Sequence, residues 1–166
     1  MARILGIGGV SCSGKSTFIN KLKEALPKST KYVCFDDYYI RSCELTTKNS
    51  WESPRHYRYE DFVTDLKKLQ QSKAKLIVVE GFLIFHSQAA RELFDYIIYL
   101  DLSEDKMIER RLQRRREGDT VESILADFIA GQRKYVYPQK EYADLIISGE
   151  LSAQEQIEQI QVLMGR

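Results

Sequence analysis

The segment Gly9-Val10-Ser11-Cys12-Ser13-Gly14-Lys15-Ser16 restricts what this chain can fold into more than any other stretch. It has the spacing G-x-x-x-x-G-K-S. It follows the apolar run Ile4 to Ile7 and precedes a stretch in which Phe18, Leu22, Ala25 and Leu26 recur at helical spacing. A strand, a glycine-rich turn and a helix in that order gather successive backbone N–H groups and the positive end of a helix around one point, which suits phosphate oxygens. The glycines allow the tight turn, Lys15 adds a point charge for the β and γ phosphates, and Ser16 offers a hydroxyl to Mg²⁺. Gly9, Ser11, Ser13, Gly14, Lys15 and Ser16 are therefore candidate nucleotide-binding residues. Thr17, which caps or packs the first helical turn, is grouped with them.

The remainder alternates in the same way. Short apolar runs at Tyr32 to Phe35, Leu76 to Val79, Ile97 to Leu100 and Leu145 to Ile147 read as strands covered on both faces. Between them Phe62, Val63, Leu66 and Leu69, and later Val121, Leu125, Phe128 and Ile129, mark helices. Ser152 with Glu155 has capping-box spacing and opens a terminal helix bearing Ile157, Ile160 and Met164. The expected fold is an α/β domain with a five-stranded, mainly parallel sheet flanked by helices. At 166 residues, 43% hydrophobic and 30% charged, the chain suits a single domain over residues 1–166. The stretch of about 38–60 lacks a clean period and is the candidate acceptor-binding insertion.

Charge and cysteine usage narrow the class. With 25 basic against 24 acidic side chains, nothing in the overall balance draws the chain to nucleic acid or a membrane, and a small-molecule partner is expected. Cys12, Cys34 and Cys43 are odd in number and lack CxxC spacing, which reads as reduced thiols in a cytoplasmic protein. The oligomeric state is not readable.

A phosphate loop specifies no reaction, so the ends of the other strands matter. Asp36-Asp37 follow the second strand, where a carboxylate can accept a proton from an attacking hydroxyl. Glu80 ends the third strand, where an acid can complete a Mg²⁺ shell beside Ser16. Five arginines crowd residues 110–116, and on a helix-loop-helix lid over about 110–120 such cations can close over a transferring phosphoryl group. A nucleotide switch and an RNA-binding module are the rival readings. Against the first, the chain has no Asn-Lys-x-Asp and no Asp-x-x-Gly after the third strand.

These residues together resemble the uridine kinase and nicotinamide riboside kinase group of P-loop kinases over most of the chain. Asp36-Asp37-Tyr38-Tyr39 is similar to the group's Asp-Ser-Phe-Tyr segment, which implies that Asp36 is the catalytic base and places Tyr39 beside the substrate. Glu80-Gly81-Phe82-Leu83-Ile84-Phe85 resembles the riboside kinases' Glu-Gly-Phe-Leu-Leu-Phe and implies a magnesium-shell role for Glu80. Lys140-Glu141-Tyr142-Ala143-Asp144-Leu145 is similar to a uridine kinase segment, and Arg111 and Arg114 fall on that family's Arg-x-x-Arg, which implies contact with the transferring phosphoryl and the substrate. The resemblance implies ATP and Mg²⁺ as cofactors and transfer of the γ-phosphoryl group to a hydroxyl, expected to be a ribose 5′-OH. Non-nucleoside alcohols and hydroxy acids are the alternative acceptors.

The departures lie on the acceptor side. Trp51-Glu52-Ser53-Pro54 resembles Phe-Asp-His-Pro, with Glu52 one methylene longer than the aspartate that holds the ribose diol. Only Gln70-Gln71-Ser72-Lys73-Ala74-Lys75 separates helix from strand where uridine kinases insert a pyrimidine-gripping hairpin, and Asp119 replaces a lid arginine. Trp51, Tyr38, Tyr39 and Tyr57 read equally as a stacking wall or as loop-packing aromatics.

Overall fold

The computed structural model describes residues 1–40, 52–114 and 120–163. Five strands, β1 (Arg3–Gly9), β2 (Lys31–Cys34), β3 (Leu76–Glu80), β4 (Tyr96–Asp101) and β5 (Leu145–Ser148), form one sheet in the order β2-β3-β1-β4-β5. Every neighbouring pair is parallel. Each strand is therefore joined to the next by a crossover, and helices cover both faces.

Alternation along the strands sorts the core into two layers. Ile4, Ile77, Val79, Ile97 and Tyr99 face one side, where they meet Phe62, Leu66, Phe85, Met107, Phe128 and Val136. Leu5, Ile7, Val78, Ile98, Leu100 and Ile147 face the other and meet Phe18, Ile19, Leu22, Ile157 and Ile160. The first layer is covered by α2 (Tyr59–Gln70), α4 (Glu104–Gln113) and the helical run beyond residue 120; the second by α1 (Lys15–Ala25) and α7 (Ala153–Leu163). A short helix, α3 (Gln88–Arg91), opens on a Ser87 side-chain cap. Gly6 and Gly8 alternate with Leu5 and Ile7, and their missing side chains make room for the Phe85 ring: a Cβ on Gly6 would stand 2.6 Å from Phe85 Cε1.

The run 121–142 is one rod of mixed pitch. It passes from α5 (Val121–Ser123) through a π segment (Ile124–Phe128) to α6 (Ile129–Gly131), then a second π segment (Gln132–Val136) and a 3₁₀ turn (Tyr137–Tyr142). Each π turn takes up extra residues and rotates the buried face, and such turns recur at functional sites.

The expected capping box is present: the Ser152 N–H and hydroxyl both donate to the Glu155 carboxylate, at 2.8 and 2.7 Å, and the Glu155 N–H donates back to Ser152 Oγ. The chain passes from α2 to β3 through residues 71–75 with no hairpin. Phe35, expected at the end of β2, instead begins a 3₁₀ turn (Phe35–Tyr38), because its ring is drawn into the first layer. No helix among the described residues is long and apolar enough to cross a membrane. Cys43, Met164, residues 115–119 of the expected lid and residues 41–51 of the expected acceptor insertion lie outside the described residues.

Candidate active site

The phosphate loop leaves β1 with Gly9 at φ 131°, Cys12 at 62° and Gly14 at 91°. At Gly9 the need for glycine is absolute, since a Cβ would collide with the Leu100 carbonyl on the neighbouring strand. Neighbouring elements pin the loop residue by residue. The Val10 N–H donates to Leu100 O, the Ser11 N–H to Gln132 Oε1 at 3.1 Å, and Arg110 Nη1 to Cys12 O at 3.0 Å and Gly149 O at 3.3 Å. Gly149 itself lies against Ser13 so closely that a Cβ would stand 2.6 Å from Ser13 O.

The loop opens onto an uncapped helix. Gly14 is the N-cap of α1 and no side chain caps it, and the first turn of α1 has no acid. By contrast α2, α4 and α7 each bring one or two carboxylates to theirs. The free N–H groups and positive dipole end of α1 therefore face outward for an external anion. The Ser13 hydroxyl is buried and has no hydrogen-bond partner among the described residues, which also fits a phosphate oxygen arriving from outside. Ser16 and Thr17 are exposed on the first turn.

Lys15 folds back over the loop and donates from Nζ to Gly9 O at 3.0 Å and Val10 O at 2.6 Å. Desolvation lowers its pKa to about 8, against the opposing pull of the Glu80 and Asp36 carboxylates. Glu80 is raised above the ordinary carboxylate range by burial, while Lys15 pulls it down and Asp36 pushes it up. These three groups share one electrostatic environment at the carboxyl ends of β1, β2 and β3. The register explains it, because Glu80 pairs with Ile7 on one side and Cys34 on the other. For a divalent cation the site offers the Ser16 hydroxyl and the Glu80 carboxylate, a hard oxygen set that suits Mg²⁺ once phosphate oxygens complete the shell.

Asp36 projects from the 3₁₀ turn that Phe35 anchors. Phe35 is fully buried and stacks on Tyr57 at 4.7 Å, with Phe62 edge-on at 4.8 Å. Tyr38 and Tyr57 belong to this aromatic cluster, so the packing alternative holds for them. Tyr39 is half-buried, edge-on to Tyr57 at 5.4 Å, and pairs its backbone with Tyr57. The Tyr57 phenol is buried between the charges of Asp36 and Glu52, which push its pKa up further than burial alone does. It thus links the turn carrying Asp36 to a cavity of about 300 Å³ whose lining includes Glu52, Ser53, Arg55, Asp127, Gly131 and Lys134. Glu52 lies directly on Gly131, where a Cβ would run into its side chain.

The arginines divide in a way the sequence does not show. Arg110 reaches the phosphate loop. Arg111 is buried, donates to Arg114 O at 2.9 Å and lies over the Phe128 ring. Arg114 is exposed at the C-cap of α4, and Arg115, Arg116, Gly118 and Asp119 lie outside the described residues.

The phosphoribulokinase / uridine kinase family model matches residues 29–154. The chain belongs to that family. Because the match begins after Ser16, the phosphate loop supports the same reading independently. Family membership makes the chain a phosphotransferase acting on an alcohol group. A uridine kinase of Borrelia hermsii is 31% identical over 179 residues, covering 89% of this chain and 86% of the relative. Among solved structures, a possible uridine kinase from Bacillus stearothermophilus superposes with a TM-score of 0.60 at 18% identity, over 88% of each chain. A shikimate kinase from Bacteroides thetaiotaomicron reaches 0.67 at 15% identity, over 99% of each. At those identities the two structures speak for the shared P-loop kinase fold.

Two buried glutamines escaped the sequence reading of this family member. Gln132 holds Ser11, and Gln139 accepts from the Phe85 N–H at 2.9 Å while donating to Phe82 O and Tyr135 O. The signal was available, because Gln132 continues the spacing of Phe128 and Ile129 with a polar residue on the packed face.

Proposed function

We propose that the chain transfers the γ-phosphoryl group of ATP, with Mg²⁺, to a hydroxyl of a small riboside-like alcohol. The observation that carries this is the common environment of Lys15, Asp36 and Glu80 at the mouth of an uncapped helix. In this reading the loop from Gly9 to Ser16, with Thr17, cradles the nucleotide phosphates, and Lys15 turns from its own loop carbonyls to the β and γ oxygens. Ser16 and Glu80 would hold the metal, which would supply positive charge to neutralise the phosphates. Asp36 takes the proton of the attacking hydroxyl and orients it in line. Glu52, in the cavity wall, holds a diol of the acceptor, and Tyr39, packed against Tyr57, is assigned to substrate binding. Arg111 and Arg114, where α4 ends, meet the transferring phosphoryl.

A hydroxy-acid acceptor is the second reading, favoured by Arg55 and Lys134 in the cavity wall, which suit a carboxylate. ATP consumption measured against uridine, cytidine, nicotinamide riboside, shikimate and glycerate separates them. Stimulation by a riboside is expected, with kcat falling by roughly 10² to 10⁴ in Asp36→Asn and ATP affinity little changed. Stimulation by the hydroxy acids alone would replace the riboside reading, and near-normal turnover of Asp36→Asn would remove Asp36 from its role.

A further inference from the structure

Gln132 is fully buried, and both ends of its amide meet Ser11: Oε1 accepts the Ser11 N–H at 3.1 Å and Nε2 donates to Ser11 Oγ at 3.0 Å. The polarity of this pair is fixed by chemistry. A backbone N–H can only donate, so the amide atom facing it is the oxygen. The nitrogen then faces Ser11 Oγ and can only donate, so the hydroxyl is an acceptor towards Gln132 and its own proton is left to point elsewhere.

Its position suggests where. Ser11 stands two residues after Gly9 and three before Gly14, the N-cap of α1. The residue before its partner, Gly131, lines the cavity proposed for the acceptor and lies against Glu52. Ser11 therefore lies on the side where nucleotide and acceptor meet.

We propose that the Ser11 hydroxyl donates to the terminal phosphoryl group of the nucleotide, and that Gln132 is the positioning residue that sets the direction of that donation. The proposal rests on the kinase reading above. A residue that merely braced the loop would affect all nucleotides alike. A residue that aims one hydroxyl at the terminal phosphoryl affects only nucleotides that have it.

The test is titration of Mg·ADP and Mg·AMPPNP into the wild-type chain, Ser11→Ala, Gln132→Leu and the double variant, with thermal melting to check folding. Ser11→Ala keeps the backbone bond to Gln132 and so probes the hydroxyl alone. Loss of a hydrogen bond to a charged group predicts that Ser11→Ala binds AMPPNP roughly tenfold or more weakly with ADP within about twofold, and that Gln132→Leu loses the same preference for AMPPNP over ADP while also weakening both nucleotides together, because it unpairs the Ser11 N–H as well. The double variant should lose no more of that preference than Ser11→Ala does, since both changes remove the same donation to the terminal phosphoryl. Equal losses for ADP and AMPPNP in Ser11→Ala, additive losses of the preference in the double variant, or an unchanged preference in either single variant would each overturn the proposal. Failure of the wild-type chain to bind either nucleotide would overturn the kinase reading together with it, and is distinguished by appearing before any substitution is made.

Discussion

Nucleotide binding should draw a proton out of solution, and Lys15 is the group that takes it. In the free protein its pKa is lowered to about 8, chiefly because burial disfavours the ammonium form. About one Lys15 in ten is then neutral at pH 7, about half at pH 8 and about nine in ten at pH 9. Phosphate oxygens beside Nζ favour the charged form, so binding restores the ammonium and the change is an uptake. At pH 8 the nucleotide phosphates are themselves ionised and contribute little. Titration calorimetry with Mg·ADP in two buffers of different ionisation enthalpy should register about half a proton taken up at pH 8 and about a tenth at pH 7. Affinity should fall by up to about fivefold between pH 8 and 9, equivalent to about 1 kcal/mol. Lys15→Arg keeps the charge but removes the titration, so its uptake at pH 8 should vanish. An uptake below about 0.1 in the wild-type chain at pH 8, or an equal uptake in Lys15→Arg, would refute the argument. The same shift acts on folding. The unfolded chain keeps Lys15 protonated to near its ordinary value of 10.5, so between pH 8 and 10.5 the unfolded state holds the extra proton. The contribution of this group to stability therefore rises with pH across that window.

Two predictions concern the scaffold. Gly9→Ala combines an unfavourable φ with a collision against Leu100 and should cost at least about 3 kcal/mol, whereas Gly14→Ala, with nothing within 4 Å of the added Cβ, should cost about 1–2 kcal/mol. Equal losses by denaturant unfolding would mean that strand proximity is not the reason for Gly9. Gln139→Leu leaves the Phe85 N–H and two carbonyls without their amide partner and should destabilise by about 1–3 kcal/mol. A change below about 0.5 kcal/mol would show that the contact is dispensable.

What could be read beforehand divides along physical lines. The five strands were visible because parallel strands covered on both faces need unbroken apolar runs, as Leu76 to Val79 and Ile97 to Leu100 have. Lys15, Asp36 and Glu80 were readable as a group because Glu80 ends a strand, Asp36 follows one closely and Lys15 closes the glycine loop that leaves one, so the carboxyl end of the sheet brings them together. The arginine that touches the loop was not readable. Successive helix residues differ by about 100° of rotation, and whether Arg110 or Arg111 turns to the loop depends on how Met107 seats α4 in the core. Gln132 was missed because a polar residue on a helix is read as solvated even where it continues the apolar spacing, and Gln139 because the π segment Gln132–Val136 rotates the face that a 3.6-residue period would assign. The cavity proposed for the acceptor draws on Glu52 and Asp127, residues far apart in sequence, and no local spacing announces such a meeting.

Gly131 and Gln132 are neighbours in the chain, yet one accommodates the acceptor segment and the other grips the phosphate loop. Under the proposed function, donor grip and acceptor fit are thus tied through one peptide unit. Attempts to redirect this protein to a new alcohol by reshaping the 131 position will disturb nucleotide affinity as a side effect. Changes confined to Ser53 and Arg55, which line the same cavity while it is Glu52 that lies against Gly131, are expected to alter acceptor choice while leaving that linkage alone. An engineer, or a lineage drifting between acceptors, has one wall free to vary and one that is not.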